Sequence, residues 1–183
     1  MVKVVIPVYK ESLEHNEVKS FKQCLMVLVK YPLVLVCPEK LDLSEYKKIL
    51  MFYNVNISIE RFNNSYFDSV NSYNRLMLSH EFYSRFQDYK YILIYQLDSW
   101  VFKDSLLFWC KKDYDYIGAP WFEKDGSYEE GIKLSDEVGN GGFSLRKVEF
   151  FINAVQWPYP VLSPKGVIRR FRMQNNVVKT ILA

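Results

Sequence analysis

The feature that most constrains this chain is a set of short apolar runs separated by stretches with helical spacing. Residues 2–9 (VKVVIPVY), 33–37 (LVLVC) and 91–95 (YILIY) are continuous or nearly continuous in apolar residues. Successive side chains of a strand point to opposite faces, so a strand with no polar alternation has to be covered on both sides. Between the first two runs, residues 17–30 place Val18, Phe21, Leu25 and Leu28 at intervals of three and four, one face of a helix. Pro32 ends that helix, and Pro38 ends the second strand.

The same alternation continues. Residues 44–53 predict a short helix capped by Ser44, and residues 55–62 alternate like a strand. Residues 69–86 predict one longer helix with Tyr73, Leu76, Met77, His80 and Tyr83 on a common face, so His80 is expected in the core. Residues 106–112 predict a helix, 114–120 (YDYIGAP) a short strand and turn, 122–138 a polar excursion and 148–155 a closing helix. Alternating β and α units of this kind predict an α/β, Rossmann-like domain with a mostly parallel central sheet and helices on both faces. Ligands of such sheets bind beyond the carboxyl ends of the strands, here residues 8–11, 62–64 and 96–99.

Composition narrows the class. A chain of 183 residues suits one domain, expected over 1–183 with a basic tail at 165–183. At 49% hydrophobic and 25% charged residues it has the material for a core, which excludes a disordered chain. No apolar stretch approaches the roughly 18 residues of a membrane span, and no cleavage-site pattern follows Met1. Cys24, Cys37 and Cys110 are odd in number and widely spaced, which fits neither a disulfide framework nor a zinc site. A reducing, cytoplasmic setting is therefore expected.

Charge is unevenly spread. The net charge is +3, yet no Asp or Glu follows Glu149. Five of the 24 basic residues (Lys165, Arg169, Arg170, Arg172 and Lys179) lie in that acid-free tail, leaving 19 against 21 acidic residues before it. Helical spacing would put Ile168, Phe171, Val178 and Leu182 on one face of the tail, as in a helix lying on an anionic membrane; packing on its own domain is the plainer role. A body that is net acidic does not suit a nucleic-acid binder.

Three segments carry candidate chemistry. No GxGxxG follows the first strand and no GxxxxGK[ST] occurs, so the standard phosphate loops are absent. The first strand ends instead in IPVYKES, where backbone groups and the Tyr9 ring would hold a nucleotide, with Lys10 either at a phosphate or in solvent. In QLDSWVF, Asp98 follows an apolar strand. A carboxylate there needs a partner to offset lost solvation, either a Mg²⁺ or Mn²⁺ ion carrying a diphosphate or the cap of the next turn. In VGNGGFSLR, the glycine pair admits close backbone approach or positive φ, and Asn140 and Ser144 supply hydrogen bonds suited to a sugar; a tight turn before the closing helix is the alternative. Asn71, Asn74 and Arg75 are placed near a helix start that could face phosphates, where Arg75 would balance diphosphate charge or form a surface ion pair.

With QLDSWVF, DYIGAPW and VGNGGFSLR in this order, residues 2–146 resemble bacterial glycosyltransferase-like proteins of the GT-A type, the nucleotide-diphospho-sugar transferase fold. The resemblance implies a nucleoside-diphosphate-sugar donor bound across the carboxyl edge of the sheet, lined by Pro7, Val8, Tyr9 and Glu11. It places Gln96, Leu97, Asp98 and Ser99 at the position of the DxD metal motif, with Asp98 as catalytic residue and as the one carboxylate left to bind Mn or Mg. Asn140, Gly141 and Gly142 would face the sugar. The acid that such enzymes carry after the glycine motif is missing, so Asp136 or Glu137 would substitute as the catalytic carboxylate. The implied activity is transfer of a sugar to a cell-surface polysaccharide or lipid-linked acceptor, at most peripherally on the inner membrane face. A catalytically incomplete nucleotide-sugar-binding or partner protein on the same fold is the alternative.

Overall fold

The computed structural model describes residues 1–121 and 139–156. The excursion expected at 122–138, with Asp136 and Glu137, and the basic tail at 165–183 lie outside the described residues. In chain order the elements among the described residues are β1 (Val2–Pro7), α1 (His15–Leu28), β2 (Leu33–Pro38), α2 (Ser44–Phe52), β3 (Ser58–Phe62), α3 (Val70–Leu76), α4 (His80–Ser84), β4 (Tyr91–Tyr95), α5 (Leu106–Lys111), β5 (Tyr116–Ala119), β6 (Asn140–Lys147) and α6 (Val148–Gln156), with a 3₁₀ turn at Asn64–Phe67.

The six strands form one sheet in the order β3-β2-β1-β4-β6-β5. The first four run parallel, and β6 is antiparallel to both β4 and β5. This mixed α/β sheet, mostly parallel and flanked by helices, agrees with the class expected from the apolar runs. Because β6 runs antiparallel to β4, its first residues lie at the same edge as the carboxyl ends of β1 and β4.

Side-chain alternation sorts the core into two layers. Val2, Val4 and Ile6 of β1 join Leu33 and Leu35 of β2 and Tyr91, Leu93 and Tyr95 of β4 on one face, packed by Phe21, Leu25, Leu28, Tyr46 and Leu50 of α1 and α2. Val5, Val34, Val36, Ile92 and Ile94 point the other way, against Leu76, Phe82, Tyr83, Val148 and Phe151 of α3, α4 and α6. Every residue of β4 is buried, as a strand covered on both faces must be. Each such side chain contributes about 1.5–3 kcal/mol of burial free energy, so β1, β2 and β4 anchor the fold.

Three expectations need correction. Residues 69–86 form two helices rather than one. The Ser79 hydroxyl accepts the Phe82 N–H (3.1 Å) and donates to the Leu76 carbonyl (2.8 Å), which restarts the helix in a new phase. That phase leaves His80 exposed rather than in the core. Ser44 is the first residue of α2 and not its cap; the Asp42 carboxylate accepts both its N–H (2.9 Å) and its hydroxyl (2.7 Å). Finally, the glycine segment is no turn before a helix: residues 140–147 form the eight-residue strand β6.

Candidate functional site

A cleft of about 570 Å³ opens at the edge where β1 and β4 end and β6 begins, within the range of small-molecule sites. The parallel order of β1 and β4 brings Pro7, Val8, Tyr9 and Lys10 beside Gln96, Leu97 and Asp98. The antiparallel β6 adds Asn140, Gly141 and Gly142, and the chain leading from β3 into α3 supplies Asp68, Ser69, Tyr73 and Asn74.

At the mouth, Tyr9 leaves 59% of its surface open beside the cleft, with the Lys10 ammonium 5.8 Å from its ring centroid. Lys10 is committed elsewhere: its ammonium bonds Glu14 (2.9 Å) and Glu17 (3.1 Å), and the hydrogen bond to Glu14, seconded by Glu17, raises its pKa above the usual lysine value. The Tyr46 hydroxyl donates to the Lys10 carbonyl at 2.8 Å, pinning the loop after β1 to α2.

Asp98 is exposed to solvent, which corrects the expectation of a carboxylate set in an apolar environment. β4 stops at Tyr95, and the Ser99 N–H turns back to the Gln96 carbonyl (3.0 Å), so the chain has left the sheet before Asp98 is reached. Neither that turn nor any ion pair among the described residues engages its carboxylate.

Gln96 and the glycine pair form the middle of the cleft. The Gln96 N–H donates to the Gly142 carbonyl (2.8 Å), and the Gly142 N–H donates to Asn140 Oδ1 (2.8 Å). A Cβ on Gly142 would lie 2.4 Å from Gln96 Oε1, so a side chain there would displace the Gln96 amide from the cleft wall.

The inner end is polar and buried. Arg146 is only 6% exposed, yet it lines the cleft. Its guanidinium donates to Ser144 Oγ (3.0 Å), to the Tyr83 hydroxyl (2.8 Å) and to the carbonyls of Met77 (3.3 Å) and Gly141 (3.2 Å). The rings of Tyr116 and Phe151 lie 5.9 and 5.6 Å from it. No carboxylate among the described residues neutralises this charge. Burial works against it, and the facing hydroxyls of Tyr83 and Tyr116 more than offset that effect. Beside it, the Tyr73 hydroxyl is a buried polar atom with no hydrogen bond among the described residues. Burial pushes its pKa up to about 12; the Gln96 amide and the Arg146 charge pull the other way, but Gln96 does not complete a bond with it. An orphaned hydroxyl of this kind costs about 1–3 kcal/mol.

Of the residues singled out from sequence, Pro7, Val8, Tyr9, Lys10, Asn74, Gln96, Leu97, Asp98, Asn140, Gly141 and Gly142 meet at this cleft. Glu11, Ser99 and Arg75 do not line it. Arg75 sits in the last turn of the short α3, not near its start, and the Ser99 carbonyl is occupied by the hydroxyls of Ser20 (2.6 Å) and Tyr95 (3.2 Å). Sequence reasoning missed Asp68, Ser69, Tyr73 and Arg146. Arg146 left no sign: it falls on the same face of β6 as Asn140, Gly142 and Ser144, where no apolar alternation marks it.

Among the described residues no three or more of His, Cys, Asp and Glu gather as a metal site. Asp98 and Asp68 are the cleft carboxylates that no ion pair among the described residues engages. A hard divalent cation held by one or two carboxylates completes its shell with phosphate oxygens and water, and Asp98 fits the part of such a ligand.

The chain belongs to the family described as protein of unknown function (DUF5672), which matches residues 56–176. No curated protein matches its sequence. Among solved structures, core-mannan synthase A (CmsA/Ktr4) from Aspergillus fumigatus in its Mn/GDP form is similar with a TM-score of 0.58 and 11% identity, over 85% of this chain and 63% of that one. TarS 1-349 of S. aureus in complex with UDP-GlcNAc is similar with a TM-score of 0.50 and 15% identity, over 84% of this chain and 47% of that one. This chain thus spans about two thirds and about half of their lengths. At such identities the likeness shows the fold, that of GT-A glycosyltransferase domains.

Proposed function

We propose that this chain is a glycosyltransferase domain that binds a nucleoside-diphosphate sugar in the cleft at the carboxyl edge of β1 and β4. The observation that carries the reading is the convergence there of an exposed ring (Tyr9), an unengaged carboxylate (Asp98) and a glycine-lined strand start (Asn140–Lys147). Its likeness in fold to proteins solved with Mn/GDP and with UDP-GlcNAc supports a donor of that class.

In this reading Tyr9 stacks on the base, backbone groups at Pro7 and Val8 face the nucleoside, and Asp98 would hold a Mn²⁺ or Mg²⁺ ion. The cation would neutralise charge on the departing diphosphate. Gly141 and Gly142 let the sugar approach the sheet edge, and Asn140 and Gln96 hydrogen-bond its hydroxyls. A carboxylate deprotonates the acceptor hydroxyl if the configuration inverts; Asp68 stands at the cleft for that task, and Asp136 or Glu137, named from sequence, are the other candidates. The acceptor is a saccharide or a lipid-linked saccharide. The whole chain, 1–183, acts as one domain with its basic tail.

Isothermal titration with UDP-, GDP-, CMP- and dTDP-sugars, with and without Mn²⁺, tests the reading. One donor is expected to bind, more tightly with the cation, and to be hydrolysed or transferred. Silence from every donor would overturn it. Binding without turnover would instead identify a nucleotide-sugar-binding protein on a transferase fold.

A further inference from the structure

We propose that the segment 102–112, which follows the cleft's Asp98 strand end, is a docking surface for an anionic lipid bilayer. The segment turns an unusual amount of apolar surface outward. Phe102 is 84% exposed, and α5 presents Leu107, Phe108 and Trp109 in succession at 50%, 55% and 44%. Leu106 alone of that helix is buried in the core. A run of three large apolar side chains facing solvent is unfavourable on a surface that meets only water. Phe108 and Trp109 touch edge to face with centroids 5.2 Å apart, and Lys103, Leu107 and Phe108 border one shallow hollow, so these groups form one patch.

Its charges identify the partner. Lys103, Lys111 and Lys112 are exposed beside these rings, and the Lys112 ammonium lies 5.0 Å over Phe108. The segment's own acid and the one that follows it are paired with other lysines. Asp104 is taken by Lys30 and the Tyr31 hydroxyl. Asp113 is taken by Lys90 (2.9 Å), Lys147 (3.3 Å) and the Tyr91 hydroxyl (2.7 Å). Among the described residues, none of the three lysines enters an ion pair. Aromatic side chains interleaved with cations that lack counter-charges suit a bilayer interface, where rings enter the acyl boundary and ammonium groups meet phosphates. The surface is independent of the cleft's chemistry.

Co-sedimentation of the full chain with vesicles, without any nucleotide sugar, tests this. The chain is expected to pellet with phosphatidylcholine–phosphatidylglycerol vesicles and not with phosphatidylcholine alone, with a blue shift of tryptophan emission. Replacing Lys103, Lys111 and Lys112 by Gln should lower partition on the order of 100-fold. The triple change Phe102→Ser, Phe108→Ser, Trp109→Ser should abolish it, with circular dichroism and donor affinity unchanged. Failure to bind anionic vesicles overturns the proposal. So does binding that survives both sets of changes, or a dimer in sedimentation equilibrium that the serine variant dissolves while vesicles capture nothing. Because no donor is present, the result stands apart from the fate of the glycosyltransferase reading.

Discussion

The two edges of the central sheet treat the same kind of residue in opposite ways. At the edge where β4 begins, Asp113 is gripped by Lys90, Lys147 and the Tyr91 hydroxyl. It holds a left-handed backbone (φ 58°) just past α5, a conformation Asp tolerates better than most residues. The hydrogen bonds from Lys90, Tyr91 and Lys147 hold its carboxyl well below the ordinary range. At the edge where β4 ends, Asp98 points into solvent with no partner among the described residues, and Tyr73 keeps a hydroxyl without a hydrogen bond to any of them. One edge is closed by its own side chains. The other leaves polar groups unanswered, which is how a chain built to bind something differs from one that only has to fold.

The largest expected effect comes from breaking the open edge. Asp98→Ala should weaken the cation-dependent part of donor binding about 100-fold, close to 2.7 kcal/mol, while shifting unfolding free energy by no more than about 0.5 kcal/mol, as for other exposed sites. Titration calorimetry and a denaturant melt read the two quantities. A destabilised variant with intact donor binding would put Asp98 with Asp113 on the structural side.

Tyr73→Phe sharpens the contrast with a smaller change. Deleting an orphaned hydroxyl should leave stability unchanged or raise it by about 1 kcal/mol, and donor affinity should fall severalfold if a ligand answers that group. A fall in Tm would mean that the hydroxyl is satisfied within the fold.

The smallest effect belongs to the closed edge. Asp113→Ala should lower Tm slightly and leave donor binding untouched. Its depressed folded-state pKa means that the stabilisation is complete above the unfolded carboxylate value, about 3.9, and is lost as pH falls from there through the folded value. The Tm gap between wild type and variant should therefore be full at neutral pH and close only in acid. A gap that closes on the alkaline side would show that some other group carries it.

Legibility followed burial. The strands β1, β2 and β4 could be read because residues covered on both faces leave an unbroken apolar run, and their alternation with helical spacing was enough for the α/β class and for the edge at which to look. β6 could not be read as a strand. Its Gly141, Gly142, Ser144 and Arg146 are tolerated only because Gln96, Asn140 and the tyrosines around α3 and α4 meet them in space. The break at Ser79 was invisible for a related reason: helical periodicity runs through residues 69–86, and a local serine bond overrides it.

By itself, then, the sequence determined the order of buried strands and covering helices, since hydrophobic pattern is a local property of the chain. It also marked Asp98 and the glycine pair, through unusual residues at strand ends. Only the tertiary structure decided that β6 runs antiparallel and delivers Asn140 to the same edge as Tyr9, that Asp98 stands in solvent, and that Arg146 lies buried beside an unanswered Tyr73. The burial of Arg146, for one, depends on Tyr83 and Met77, 63 and 69 residues away along the chain. No local pattern encodes which distant segments will meet.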